Sequence, residues 1–130
     1  MALELVTDIN LIGDVDPSGV AGAAIATSGM ARNSSGTVAL ALAAVAAQVV
    51  PCTGFLPYPV NSGDACTLVR EGKVVGASGL TPGDPVYLGE TAGAVQAAAP
   101  VGAGKVVQVV GVALSTTEFM LDIASTYVTL

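Results

Sequence analysis

The chain offers few side chains with the capacity for chemistry, and no histidine is among them. It therefore lacks the commonest general base, the usual partner of a nucleophilic serine or cysteine, and the commonest ligand of transition metals. The 130 residues carry ten acidic side chains, four basic ones and two cysteines. This set predicts that the protein is not an enzyme and needs no cofactor.

Two short stretches approach the patterns of binding loops without completing them. Residues 14–19 begin like a calcium-binding loop, but Pro17 intrudes, and Ile25 stands where the motif places a bidentate glutamate. Residues 102–105 read Gly-Ala-Gly-Lys, but Val106 follows where a phosphate-binding loop needs serine or threonine. We interpret both stretches as turns and predict no metal site.

The two cysteines, Cys52 and Cys66, are too few for a disulfide framework, and a zinc site would need further ligands. We favour two reduced, buried thiols. A single disulfide between them stays open, because a bond depends on a geometry that the sequence does not contain.

Basic residues are scarce and scattered, which limits the partners of the chain. The formal net charge is −6, and among the basic residues only Arg70 and Lys73 lie close together, with Glu71 between them. A nucleic-acid surface needs clustered lysine and arginine to neutralise phosphates. The charge therefore predicts no binding to nucleic acid or to an anionic membrane.

The composition favours a chain that hides surface in an assembly. Hydrophobic residues make up 52% of the sequence and charged residues 11%, whereas a typical domain carries about 25% charged residues. The alternative is that Ala and Gly raise the hydrophobic fraction without forming large patches. The longest apolar run, residues 38–50, is shorter than the about 20 residues of a membrane helix, and the first residues do not match a signal peptide.

Short β-strands separated by turn residues fill most of the C-terminal half. Residues 106–110 give the strongest strand signal, because β-branched side chains fit a pleated sheet, and Gly111 indicates a bulge or a close backbone approach. Turn residues at 81–84 precede a strand at 86–88, and a further strand is predicted at 119–123. Taken in order, these segments predict a β-meander.

The middle of the chain has similar patterns. Residues 38–42 alternate as in a strand, whereas residues 43–48 fit a strand or a short helix and stay open. Predicted strands at 65–70 and 73–77 flank Glu71-Gly72, which we interpret as a tight hairpin turn.

Matches at an offset of 57 residues indicate a possible internal repeat. They are Gly19 and Gly76, Gly22 and Gly79, Gly36 and Gly93, Val38 and Val95, Ala41 and Ala98, Val49-Val50 and Val106-Val107, and Gly54 and Gly111. In a chain rich in Ala, Val and Gly several pairs match by chance, so the repeat is weak support for two similar β-units. The predicted fold is all-β, a small β-barrel or sandwich of about eight to ten short antiparallel strands, with residues 21–130 as a single β domain.

Residues 1–20 differ from the rest of the chain. Their large apolar side chains fit neither a period of 2 nor one of 3.6, and residues 13–19 break any element. The segment is either the first strand of the domain or an extended N-terminal arm that adds a strand to a partner's sheet edge. As an arm, it would form a partner interface from six apolar residues, Leu3, Leu5, Val6, Ile9, Leu11 and Ile12.

Two segments of the C-terminal half carry a resemblance to a known family. Residues 79–88 read Gly-Leu-Thr-Pro-Gly-Asp-Pro-Val-Tyr-Leu, and residues 107–115 read Val-Gln-Val-Val-Gly-Val-Ala-Leu-Ser. Together they resemble the C-terminal half of the capsid decoration (head auxiliary or cement) proteins of tailed bacteriophages. Residues 21–26 and 60–69 resemble the N-terminal half of such proteins.

The resemblance implies a structural protein of the virion. Such a protein is made in the host cytoplasm, binds the exterior of the capsid as a homotrimer, and clamps neighbouring subunits of the major capsid protein. The alternative is a phage tail, baseplate or head-fibre β-module that binds carbohydrate on the host surface. That function would need exposed aromatic side chains in a groove, and the available ones are Phe55, Tyr58, Tyr87, Phe119 and Tyr127.

Overall fold

The computed structural model describes residues 3–6, 15–44, 52–124 and 126–130, and in these residues it contains 13 strands. None of the described residues belongs to a helix that is long and apolar enough to cross a membrane. The all-β prediction is confirmed. The strands are β1 (Glu4–Leu5), β2 (Val15–Ala21), β3 (Gly29–Ser34), β4 (Thr37–Leu40), β5 (Gly54–Leu56), β6 (Ala65–Val69), β7 (Glu71–Val75), β8 (Pro85–Leu88), β9 (Val95–Gln96), β10 (Val106–Val107), β11 (Val109–Ala113), β12 (Glu118–Asp122) and β13 (Val128–Thr129).

Strands β2 to β6 close into a small barrel in the order β2-β4-β3-β5-β6. Strands β2 and β4 run parallel, with Val20 opposite Thr37, whereas every other neighbouring pair is antiparallel. Ser35 and Gly36 form the turn between β3 and β4, with φ angles of 53° and 93°. One apolar cluster fills the barrel and comprises Ala21, Ile25, Ala31, Val38, Leu56, Val60, Cys66 and Leu68.

A six-stranded antiparallel sheet has the order β1-β7-β12-β11-β8-β9. The predicted meander is wrong, because β8 pairs with both β9 and β11 and lies away from β7. Strand β9 has two residues, after which the chain leaves the sheet and forms β10 before it returns on the other side of β8. Strands β10 and β13 make a separate two-stranded ribbon.

The two halves of the chain repeat one strand arrangement. In the barrel the order is β4-β3-β5-β6-β2, and in the large sheet it is β9-β8-β11-β12-β7. Reading the two orders side by side, each barrel strand occupies the same position as its counterpart in the large sheet, and the counterparts follow one another along the chain in the same succession. The weak repeat in the sequence therefore corresponds to two units of the same topology. The first unit is closed by its parallel β2–β4 pair. The second unit is open, and β1 occupies the free edge of β7.

A shared core explains why the second unit stays open. Along β3, β5 and β6, the side chains that alternate with those inside the barrel are Met30, Phe55 and Val69, and they belong to a second cluster. That cluster also contains the inner side chains of the large sheet, Val74, Val86, Leu88, Val110, Phe119 and Leu121. The outside of the barrel therefore fills the concave side of the second unit and takes the place of a closing strand.

The hairpin predicted around Glu71-Gly72 is wrong. Strands β6 and β7 lie in different units, and the chain passes from one unit to the other at Arg70. Glu71 and Gly72 are paired instead with Asp122 and Leu121 of β12. Pairing with β12 lets β7 bury Val74 in the shared core, whereas the outer edges of β6 are already used by β2 and β5.

Candidate protein-interaction face

The N-terminal segment, the predicted partner interface, begins as an edge strand of this chain's own sheet. Leu5 lies opposite Val74 and packs against the shared core, and the amide of Val6 donates to the carbonyl of Lys73 at 2.8 Å. Leu3 is 8% exposed and belongs to that core. The extended arm is thus not confirmed, and residues 4–5 match the first-strand alternative.

Three residues of the predicted interface, Ile9, Leu11 and Ile12, lie outside the described residues. Contact of the six side chains with a partner stays a prediction, but Leu3 and Leu5 already bury apolar surface against the core of their own chain. The hydroxyl of Ser28 adds a hydrogen bond to the carbonyl of Leu3 at 2.5 Å.

We expect Leu3→Ala to lower the free energy of unfolding by about 2 kcal/mol, because it removes apolar side-chain atoms from the core. Glu4→Ala is the matched control, since that side chain is exposed on the same strand. Urea melts of both variants measure the difference. Equal stabilities of the two variants would contradict the docking of β1 on this sheet and would favour the interpretation of the segment as an extended arm.

The turn predicted at residues 14–19 is wrong in its described part, because residues 15–19 lie in strand β2, where the pairing with β6 has a register shift between Asp16 and Gly19. One carboxylate oxygen of Asp16 accepts hydrogen bonds from the amide and hydroxyl of Ser18, at 3.0 and 2.6 Å, and the other accepts from the Asn33 side chain at 3.0 Å. These hydrogen bonds, first that of the Ser18 hydroxyl, lower the pKa of Asp16. Within the described residues no group of three histidine, cysteine or acidic side chains is placed to hold a metal ion.

Residues 102–105 form a surface turn whose Lys105 ammonium pairs with Glu90.

Both cysteines are free and buried, as predicted. Cys52 belongs to the shared core and Cys66 to the barrel interior, so the two thiols lie in separate clusters. Burial raises the pKa of the Cys52 thiol from 9.0 to about 12, because the apolar surroundings penalise a thiolate.

We expect the protein to lose stability at alkaline pH through Cys52. The thiol of the unfolded chain ionises near pH 9.0, whereas the folded one stays neutral to about 12. Ionisation in this window favours the unfolded chain, so stability is complete below pH 9 and falls by about 1.4 kcal/mol per pH unit above it. Denaturant melts at about pH 8 and pH 10.5 should show wild type losing about 2 kcal/mol more than Cys52→Ala. Equal losses of stability in wild type and Cys52→Ala would refute the assignment of this pH dependence to Cys52.

The aromatic side chains do not gather into a stacking platform. Phe55 and Phe119 are fully buried, and the exposed Tyr58 and Tyr127 lie outside the strands, one after β5 and the other before β13. The Tyr58 hydroxyl accepts a hydrogen bond from the amide of Thr67 at 3.3 Å. A shallow groove of about 380 Å³ lies nearby, but its lining residues are Ala24, Ile25, Ala26, Pro59, Val60 and Asn61. This groove gives the carbohydrate-binding alternative no support.

The outer face of the large sheet carries an apolar stripe. The inner side chains of β7, β8, β11 and β12 are buried, and the residues that alternate with them point away from the shared core. Val112 is 47% exposed and lies opposite both Met120 on β12 and Pro85 on β8. Tyr87 lies opposite Val109 along the same face. We call this surface, together with the charged residues of β1, β7 and β12 beside it, the outer face.

Acidic side chains border the stripe on one side. Glu71 and Asp122 are directly opposite one another on β7 and β12, and both are exposed. Glu118 is on the same side of β12 as Asp122, and its carboxylate lies 3.6 Å from the Lys73 ammonium. Glu4 on β1 adds a fourth carboxylate at this border, opposite Val75. Two like charges in directly opposed positions destabilise a sheet, so the Glu71–Asp122 pair has a cost in folding.

Sequence reasoning missed the outer face. Its signal is the alternation in β12, where Phe119 and Leu121 are buried while Glu118 and Asp122 are not. The sequence shows that alternation, but it does not show that β7 and β12 are neighbours and that their charged sides coincide. Comparison with known proteins adds no assignment, since no family model and no curated protein matches the chain.

Proposed function

We propose that the chain is a structural virion protein, a decoration or cement protein that binds the outer surface of a phage capsid. It would associate as a homotrimer and clamp neighbouring subunits of the major capsid protein. The observation that carries the proposal is the outer face, an apolar stripe with an acidic border on a sheet whose other side is fully packed. Such a face is suited to binding another protein, not to chemistry on a small molecule.

The arrangement of the two resembling segments supports the proposal. Residues 79–88 contain β8 and residues 107–115 contain β11, and these two strands are antiparallel neighbours at the centre of the large sheet. The resemblance therefore falls on one continuous structural unit. Val112 and Tyr87, which lie on the outer face, belong to the same two segments.

A clamp of this kind works through many small contributions. Apolar area buried at each contact contributes about 25 cal/mol per Å² before the costs of association are subtracted. Because one oligomer would contact several capsid subunits at once, modest single contacts add up to firm attachment through high effective concentration.

Purified virions provide the test. The proposal expects this protein in the particle at close to one copy per major capsid subunit, and light scattering at micromolar concentration should show the isolated protein as a trimer or larger. A handful of copies per particle would favour the tail, baseplate or head-fibre alternative. Absence from the particle would refute both.

A further inference from the structure

We propose that the outer face is the surface by which the chain grips its partner, and that the partner offers an apolar centre flanked by lysine or arginine. The inference rests on the proposed function, in which that partner is the capsid shell. It assigns the shell-binding role to β8, β11, β12 and β7, in place of the N-terminal segment.

The internal repeat supplies the first argument. In the barrel unit, Phe55 on β5 lies opposite Val69 on β6, and in the second unit Val112 on β11 lies opposite Met120 on β12. The two pairs occupy the same place in the shared topology. The first pair is covered by the inner face of the large sheet and is 0% and 5% exposed. The second pair keeps its apolar character, but within the described chain nothing covers Val112.

The acidic border supplies the second argument. The outer face combines four carboxylates (Glu4, Glu71, Glu118 and Asp122) with a single ammonium, that of Lys73. Lys73 is engaged with Glu118, and the described strands β1, β7 and β12 carry no second basic side chain to balance the directly opposed Glu71 and Asp122. A basic side chain of a partner, placed between these two carboxylates, would relieve their repulsion and form charge-assisted hydrogen bonds.

Charge also decides against a second copy of the chain as the occupant. Two outer faces brought together would oppose acidic borders, and the chain has a net charge of −6 with four basic residues in all. Like-charge juxtaposition across an interface costs several kcal/mol, and a nucleic acid is disfavoured for the same reason. A basic, apolar protein surface matches both parts of the outer face.

Asp122→Lys is the decisive variant. It places a lysine opposite Glu71, so the cross-strand repulsion becomes an attraction and the melting temperature should equal or exceed that of wild type. Binding to the partner should nevertheless fall at least about tenfold, since the basic partner group now meets a lysine. The matched control is the double variant Ala23→Lys/Ser62→Lys, which changes the net charge equally at exposed positions of the barrel unit.

The binding assay uses capsids of the phage that carries this chain, prepared without it, in co-sedimentation with each purified variant. The proposal expects the double variant to bind like wild type, Asp122→Lys to bind at least about tenfold more weakly, and Val112→Thr to bind more weakly at unchanged stability. If wild type does not bind the capsids, the proposed function fails and this inference with it. If wild type binds and a folded Asp122→Lys binds equally well, the decoration function stands and the outer face is not its binding surface.

Discussion

Gly111→Ala is expected to destabilise the protein by at least about 3 kcal/mol, and Gly111→Val to prevent folding. A Cβ atom at this position would lie 2.3 Å from the carbonyl oxygen of Met120 and 3.0 Å from the Phe119 ring. The first contact is with the backbone of β12, so no side-chain rotation relieves it. Strand β11 would have to move away from β12, at the centre of the large sheet.

Gly102→Ala is the control for this experiment. Gly102 has a φ of 114°, but a Cβ there would find only the Lys105 side chain, at 3.8 Å. Its cost is therefore backbone strain alone, about 1–2 kcal/mol. Denaturant melts of the two alanine variants should differ by about 1 kcal/mol or more. Similar losses in both would show that β11 and β12 can separate without penalty.

Gly111 also shows how far the sequence reaches. A glycine inside a β-branched run predicts a bulge or a close backbone approach, and both are present, since the register with β8 shifts between Val109 and Gly111. Gly54, its partner at the offset of 57 residues, has the same role, because a Cβ there would lie 2.8 Å from that of Leu68. Local residue types were thus enough to predict this close contact and the main strands of the C-terminal half, whereas residues 15–19, predicted to break any element, lie in β2.

Which strands become neighbours could not be predicted from local patterns. Glu71-Gly72 has the composition of a turn, but its conformation is set by β12, a strand about 50 residues further along the chain. The same applies to β11, which pairs with β8 and not with β9, the strand that a meander would have placed beside it. Pairing depends on which apolar faces cover one another, and that information is spread over both units of the repeat.

The outer face could not be predicted from the sequence for the same reason. Its apolar stripe joins residues of β8, β11 and β12, and its acidic border adds β1 and β7, so no window of the sequence contains it. The N-terminal residues were open between two interpretations because their large apolar side chains fit neither a period of 2 nor one of 3.6. Their place was decided by the free edge of β7.

Gln108→Leu should be the second severe substitution, with a loss of about 2–4 kcal/mol, because two hydrogen bonds are lost while the buried Oε1, which has no partner among the described residues, is removed as well. Gln108 is 2% exposed and separates β10 from β11. Its amide nitrogen donates to the carbonyl of Cys52 at 2.9 Å and to that of Ala124 at 3.0 Å. One side chain thus ties two distant segments to the core. Leucine has a similar volume, so the loss would come from two carbonyls left without their donor.

Gln96→Leu is the matched control, because Gln96 also makes two hydrogen bonds. Its side chain accepts from the amide of Glu90 at 3.2 Å and donates to the carbonyl of Ala98 at 2.7 Å, but it is half-buried, near the surface. Water can replace these partners, so the expected loss is at most about 1 kcal/mol. Urea melts at neutral pH measure both variants. A loss for Gln108→Leu no larger than for Gln96→Leu would mean that the two core carbonyls find other donors, and that Gln108 is not what joins these segments.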